Sequence, residues 1–399
     1  MARVLVFAPG VPHRSRGASS VLFYHYLRQL LLAGDEVLCL LLLEREEDTS
    51  ALQEELRACG RFDSVAAVVS PLLGFAKYSG RAIPGVLPDE VRARARAFGA
   101  DVVLTFDIGC LAVAGDLGGG ARRLAWLGDL AFESIWHHAL YDARESWRAA
   151  LALPKTWLIC RRWANAYRRF LQGIDRVIVA SWSSEAALRS FGIAARYLPY
   201  PWPVDRPFRS AARHRIPGDK PRFLFCGTLS GLGSRSAMHY LLNALYPELL
   251  RRWGRDGFEV LITGTRTLAP WAMDSIAAKP EIRFEGFVDD LYARMDRCHA
   301  AIVPIDVPVG NRSRIVTAMG YGLLVIAHPS TALGNPALVS GKTCLLADTP
   351  AAFADQMVAA HGDAGMCAGI EAAAREAYEQ LFESSVAARQ LRAQIAELA

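Results

Sequence analysis

The chain has 399 residues, 52% of them hydrophobic and 21% charged, with a formal net charge of +5. That balance excludes a disordered polypeptide, and the length favours two domains or more. The mild positive charge permits an anionic ligand or an anionic membrane surface and does not demand nucleic acid.

In chain order, Val4 to Ala8 is a continuous apolar run, the pattern of a parallel strand buried on both faces. Pro9 to Gly17 is a loop. Ser19 to Ala33 has helical spacing, with Leu22, Tyr26, Leu27, Leu30 and Leu31 on one side, and Gly34 ends it. Glu36 to Leu43 is the next strand, and Val102 to Phe106, Leu124 to Leu127 and Arg176 to Ala180 are further ones. Ser183-Ser184-Glu185 starts a helix that Gly192 closes. Strands alternating with helices imply a parallel sheet covered on both faces.

Pro199 to Lys220 holds five prolines and several arginines and is expected to be a linker. The alternation then restarts. Phe223 to Phe225 leads into Cys226-Gly227-Thr228, with Gly231 and Gly233 in the loop. Arg235 and Ser236 are expected to open a helix running to about Trp253. Glu259 to Thr263 is followed by Gly264, Arg283 to Phe287 by Val288, and Ala300 to Pro304 by a loop holding Asp306. A helix after Ser313 and a strand from Leu324 to Ala327 complete the set. Glu371 to Ala399 reads as helices. The expected architecture is α/β, with two doubly wound Rossmann-like domains facing across a cleft and joined near residue 205. Eight scattered cysteines without a CxxC pair fit reduced thiols of a cytoplasmic protein. The start lacks a signal pattern, and no run approaches the ~20 apolar residues that span a bilayer.

The segment Gly310 to Ala327 carries the chemistry. A glycine turn leads into a helix whose first turn holds Arg312, Ser313 and Arg314. Free N–H groups and the helix dipole favour an anion there, and arginine adds a planar fork suited to phosphate. The segment reads as a diphosphate site, against the alternative of surface arginines lying over apolar neighbours. In a regular helix Arg312 and Arg314 diverge, so one of the two is expected to serve structure.

Three stretches, FCGTLSGLGSRSAMHYLLNALYPELL (225–250), IRFEGFVDDLYARMDRCHAAIVPI (282–305) and VGNRSRIVTAMGYGLLVIAH (309–328), together resemble the GT-B glycosyltransferases, and within them the retaining group called family 4. The resemblance implies an acceptor-binding domain over 1–204 and a nucleotide-sugar donor domain over 205–380. It also implies that residues 381–399 form a helix crossing back to the first domain. It places donor-binding groups at Gly17, Gly227, Thr228, Gly264, Phe287, Val288, Gly310, Arg312, Ser313 and Thr317. Arg235 and Arg314 are the candidate stabilisers of the leaving diphosphate. Asp129, in the strand-end segment Ala125 to Asp129, is the candidate for contacting or deprotonating the acceptor hydroxyl. A helix-capping acid is the other reading of Asp129. No cofactor beyond the sugar nucleotide is implied, and the arginines point to transfer without metal. The acceptor class is a saccharide, a lipid-linked glycan or a small molecule.

Many relatives carry two glutamates eight positions apart around the donor helix. Here Val309 and Thr317 stand in their places. Threonine still reaches a ribose hydroxyl, without a carboxylate's charge. The substitution keeps open a catalytically inactive relative that binds the donor, and an epimerase of the same fold is a further alternative. A nicotinamide dehydrogenase is disfavoured because Pro9 to Gly17 lacks GxGxxG spacing. His13 and Arg16 are weaker candidates for approaching the diphosphate. Asp306 offers a carboxylate or is a solvated loop acid. His137, His138 and Asp142 have metal-like spacing but also suit a surface pair. Arg144 to Phe170 interleaves arginines with Trp147, Trp157, Trp163 and Tyr167. It suits peripheral contact with an anionic membrane or a partly buried basic helix pair.

Overall fold

The computed structural model describes every residue except Arg16, 70–74, 77–80, 83–86, Asp116, Gly118, 215–217, Thr228, Ser230 and 309–311. The chain forms two compact units, Met1–Trp202 with Ser384–Ala399, and Pro203–Glu383.

The first unit is built on strands β1 (Arg3–Pro9), β2 (Glu36–Leu43) and β3 (Phe62–Val68). A small antiparallel pair follows, β4 (Phe75–Ala76) and β5 (Arg81–Ala82). Strands β6 (Val102–Phe106), β7 (Arg122–Leu127), β8 (Arg176–Val179) and β9 (Arg196–Tyr197) complete it. The seven-stranded sheet has the order β3-β2-β1-β6-β7-β8-β9, and every pairing in it is parallel. Unbroken apolar runs such as VLCLLLL (37–43) in β2 are the cause. Only a sheet with helices on both faces buries both sides of such a strand, and seven of its eight residues are buried. On one face Leu5, Phe7, Leu38 and Leu40 pack with Val91 and Cys110. Another cluster joins Leu127, Val177 and Val179 to Trp163 and Tyr167 of the helix Leu153–Leu171. Each of these aromatics is 1% exposed. Burying 150–250 Å² at about 25 cal/mol per Å² is worth on the order of 4–6 kcal/mol per ring.

The last helix, Ser384–Ala396, belongs to this unit. Arg392 donates to Asp35 at 3.1 Å, and Asp35, 1% exposed, also accepts from the Ala2 N–H at 2.9 Å. Arg176 donates to Gln394 at 2.5 Å and to Glu397 at 3.2 Å.

The second unit holds β10 (Arg222–Cys226), β11 (Glu259–Thr263), β12 (Ile282–Gly286), β13 (Ala300–Val303), β14 (Val325–Ala327) and β15 (Leu345–Leu346). They form a parallel sheet of order β12-β11-β10-β13-β14-β15. The helix expected from Ser236 opens four residues earlier, at Leu232 behind Gly231. It passes through a π-helical stretch, Tyr240–Leu245, into Tyr246–Trp253. Pro247 removes a donor from the ladder just there. The middle of the predicted linker is fixed to this unit. The buried Glu371 carboxylate accepts from Ser210 Oγ at 2.6 Å, the Ala212 N–H at 3.1 Å and the Leu324 N–H at 3.2 Å. Three donors satisfy a carboxylate that burial alone would penalise.

Candidate functional site

In each sheet the chain winds outward on one side of the first strand and then resumes on the other. Such a reversal opens a crevice at the carboxyl ends of the two central strands, where ligands of open α/β sheets bind. In the second unit those strands are β10 and β13.

Gly227 follows β10 with φ +119. A Cβ there would lie 2.9 Å from Cζ and Nη2 of Arg314 and 3.0 Å from its Nε. The missing side chain is therefore what seats the guanidinium against the strand end. Arg314 donates to Ser234 Oγ at 2.9 Å and lies 5.4 Å from the Phe225 ring centroid. Burial lowers its pKa from the usual guanidinium value, yet arginine stays charged in proteins. Behind Gly227, a Cβ on Gly264 (φ +113) would strike the Gly227 backbone, at 2.7 Å from its nitrogen and its oxygen. Gly264 N donates to Gly286 O at 2.9 Å, and Thr263 Oγ1 donates to the same oxygen at 2.8 Å. The three glycines thus form one stack of strand ends behind Arg314.

Arg312 is at the N-cap of the helix Ser313–Tyr321, with φ −112 and ψ 65. It donates to Val307 O at 3.0 Å, and its Nη1 lies 3.1 Å from where a Gly233 Cβ would stand. The expected divergence of Arg312 and Arg314 does not occur. A non-helical N-cap takes Arg312 out of the helical phase, so both guanidinium groups reach the loop and helix that follow β10. Arg235 is half-buried on that helix, Leu232–His239. Thr317 Oγ1 donates to Ser313 O at 3.1 Å. Phe287 is exposed beyond β12, and Val288 is half-buried. Thr228 and Gly310 lie outside the described residues, as do Val309 and Arg16.

Sequence reasoning missed a polar group beside this site. Tyr240, His328 and Asp348 join Asp306 near the carboxyl ends of β13, β14 and β15. Burial, then the charges of Asp306 and Asp348, push the Tyr240 hydroxyl up to about 12. Burial draws His328 below the usual imidazole value, against the pull of the same acids.

In the first unit the crevice strands are β1 and β6. Gly17, φ +74, is the N-cap of the helix Ala18–Leu32. His13 is exposed, and its Nδ1 accepts from the Ser15 N–H at 3.1 Å. Asp129 is exposed between β7 and the helix Ala131–Glu145. The perturbed acids are two others that the reading did not single out. Asp107, directly after β6, has φ +71, a conformation that costs a non-glycine residue about 1–3 kcal/mol and clusters at functional sites. Burial, then the charge of Asp129, push its carboxyl up to about 6, against the Ile108 N–H that it accepts at 2.7 Å. Burial and Asp129 push Glu133 up to about 7, and Ser184 Oγ donates to it at 3.5 Å. The signal available for Asp107 was its place: an acid ending an apolar run, as Asp129 ends the next. His137 is half-buried and His138 exposed, and no cluster of metal-ligating residues occurs among the described residues.

Known proteins share this fold. Residues 220–363 match the family described as "Glycosyl transferases group 1". No curated protein matches the chain by sequence. Among solved structures, sucrose-phosphate synthase from Thermosynechococcus elongatus is 16% identical, covers 100% of this chain and 99% of its own, and superposes with a TM-score of 0.69. HepE of Anabaena, solved with UDP-glucose, is 14% identical over 100% of both chains, with a TM-score of 0.65. A glycosyltransferase from Rickettsia africae is 13% identical, covers 100% of this chain and 98% of its own, and scores 0.65. The chain thus has the GT-B glycosyltransferase fold, and its residues 220–363 match the group 1 glycosyltransferases.

Proposed function

We propose that this glycosyltransferase moves a sugar from a nucleoside-diphosphate sugar to an acceptor hydroxyl, with retention and without a metal ion. In this reading the second unit takes the donor and the first unit the acceptor, a saccharide, lipid-linked glycan or small molecule. One observation carries the reading: the Arg314 guanidinium, seated on Gly227 at the crevice end of β10, with Arg312 held on Gly233 beside it. Charge accumulates on the diphosphate oxygens as the anomeric bond breaks. Fixed cations aimed at those oxygens lower that barrier without reorganising. Arginines already in place supply the positive charge that a divalent ion supplies elsewhere. HepE was solved with UDP-glucose, so uridine is the first base to try.

On the acceptor side, Asp129 with Asp107 and Glu133 forms the acid group at the carboxyl ends of β6 and β7. A raised carboxyl is matched to proton transfer near neutral pH. The helices Trp147–Leu151 and Leu153–Leu171 expose Trp147, Leu151, Trp157 and Leu158 among arginines. That surface supports peripheral contact with an anionic membrane from the cytoplasmic side. None of the helices among the described residues is long and apolar enough to cross a bilayer. The test is a thermal-shift panel of UDP-, GDP-, ADP- and TDP-sugars, with and without EDTA, on the native chain and on Arg314→Ala. A base-selective rise in Tm that survives EDTA and disappears in the variant supports the reading. No shift with any donor overturns it. Donor binding without sugar release to any acceptor favours the second reading, a donor-binding relative without transfer, which Thr317 at the place of a glutamate keeps in view.

A further inference from the structure

The first unit contains a groove of about 360 Å³ that the donor site does not touch. It runs between the helices Ala131–Glu145 and Leu153–Leu171, which supply Glu133, Trp136 and His137 on one wall and Trp157, Arg161 and Ala164 on the other. The spacing explains the shape. Residues 133, 136 and 137 share one helix face, as do 157, 161 and 164. Phe132 and Phe191, edge-to-face at 5.3 Å, close the groove. The volume falls in the range of small-molecule sites, which are apolar with a few placed polar groups.

The polar groups are few and specific. Glu133 lines the groove and also feels the charge of Asp129, so the groove adjoins the acid group at the sheet's carboxyl edge. Arg161 lies over Trp157, 4.7 Å from the ring centroid, and its charge is engaged at the rim. Burial lowers His137 from the usual imidazole value, so the ring is neutral at pH 7. Burial pushes the Cys160 thiol up to about 11, which rules it out as a nucleophile.

We propose that this groove takes the apolar part of an amphiphilic acceptor, an alkyl or aryl glycoside, while the Glu133 carboxyl receives a hydrogen bond from a hydroxyl of its sugar. Trp136 and Trp157 supply the aromatic walls that such a chain or ring packs against. The inference rests on the assignment of the acceptor to the first unit and narrows it to acceptors with an apolar group next to the reacting sugar. Glu133 stands where the groove meets the acid group, so it contacts the acceptor's sugar while the groove holds the apolar group.

Tryptophan fluorescence of the full chain reads the groove directly. Octyl β-D-glucopyranoside, kept below its micelle concentration, should bind at least tenfold tighter than methyl β-D-glucopyranoside. Ala164→Trp fills the groove and should abolish that preference. Trp157→Ala, at a position 46% exposed, weakens it without asking the core to move, and so covers the case in which Ala164→Trp does not fold. Glu133→Gln should weaken both glycosides while keeping the octyl preference. The UDP thermal shift, which reads the Arg314 site, is measured on every variant. If UDP fails to bind while the octyl preference stands, the donor reading falls and the groove survives. Equal affinity for the two glycosides overturns the proposal, as does an octyl preference unchanged by both Ala164→Trp and Trp157→Ala. Octyl phosphate binding more tightly than octyl glucoside would also overturn it, by showing that Arg161 at the rim rather than Glu133 chooses the ligand.

Discussion

Replacing Gly227 by alanine separates the role of Arg314 from that of the fold. The new Cβ would stand 2.9 Å from the Arg314 guanidinium carbon, at a φ of +119. The unfavourable φ costs about 1–3 kcal/mol. The guanidinium is the far end of a flexible side chain, so it yields, losing its charged hydrogen bond to Ser234, worth ~1.5–3 kcal/mol. Partial compensation by water brings the total to roughly 2–4 kcal/mol, or about 5–15 °C in the Tm of a unit this size. Gly264→Ala is the contrast. Its Cβ would meet the Gly227 backbone at 2.7 Å, and backbone in a stack of strand ends has nowhere to go. Its cost falls in the exceptional class above ~4 kcal/mol, and the second unit should fail to fold. Gly227→Ala should stay folded by circular dichroism and lose about 10–150-fold in UDP affinity by calorimetry, the worth of one displaced charged contact. Adding Arg314→Ala to Gly227→Ala should cost no further affinity, because both changes remove the same contact. UDP affinity within twofold of the native chain in folded Gly227→Ala would refute the assignment of Arg314 to the diphosphate.

Three further outcomes follow from particular residues. Asp35→Ala removes the buried carboxylate that accepts from Arg392, itself 31% exposed, and from the Ala2 N–H. Chemical unfolding of the first unit should show a loss of ~1–3 kcal/mol, and a change below about 0.5 kcal/mol would mean the pair is solvated. Glu133 and Asp107 are pushed up by burial to about 7 and about 6, so the folded state holds their protons more tightly than the unfolded state. Their stabilising contribution is therefore complete below pH ~4 and lost as pH rises through ~6 and ~7. Unfolding free energies of the native chain minus those of Glu133→Gln should fall between pH 5 and 8, and a flat difference would remove the perturbed carboxyl. Thr317→Glu adds a carboxylate where Thr317 now offers a neutral oxygen, and UDP affinity should rise about tenfold through a charge-assisted bond to the ribose. No gain would place the ribose elsewhere.

How much of this was legible in the sequence depends on burial. Strands β1, β2, β6 and β11 each carry an apolar run and are buried along most of their length, so the sequence marks them almost to the residue. β3 stands at the sheet edge with the mixed burial of FDSVAAV, and β9 and β15 are two residues long. Edge strands need neither continuous apolarity nor length, and all three escaped notice. The helix after β10 was placed late because Ser236 looks like a cap. Its hydroxyl instead donates to Gly233 O at 3.1 Å inside a helix already begun at Leu232.

The site was legible in its residue types and not in its backbone. Arg312, Arg314 and the glycines stand out by identity and spacing. That the two arginines converge depends on one N-cap dihedral pair, φ −112 and ψ 65 at Arg312, which no periodicity encodes. Asp107 is the sharper case. Its neighbours read as a strand running into an apolar helix, DIGCLAVA, and nothing in that string announces a positive φ. The strain becomes visible only in three dimensions, where the acid after β6 comes within electrostatic reach of Asp129 after β7. A left-handed aspartate beside a second acid is a costly arrangement for a fold to keep. The chemistry of the first unit should therefore be sought at that strand end, with Asp129 as the exposed member of a coupled group rather than as a lone base.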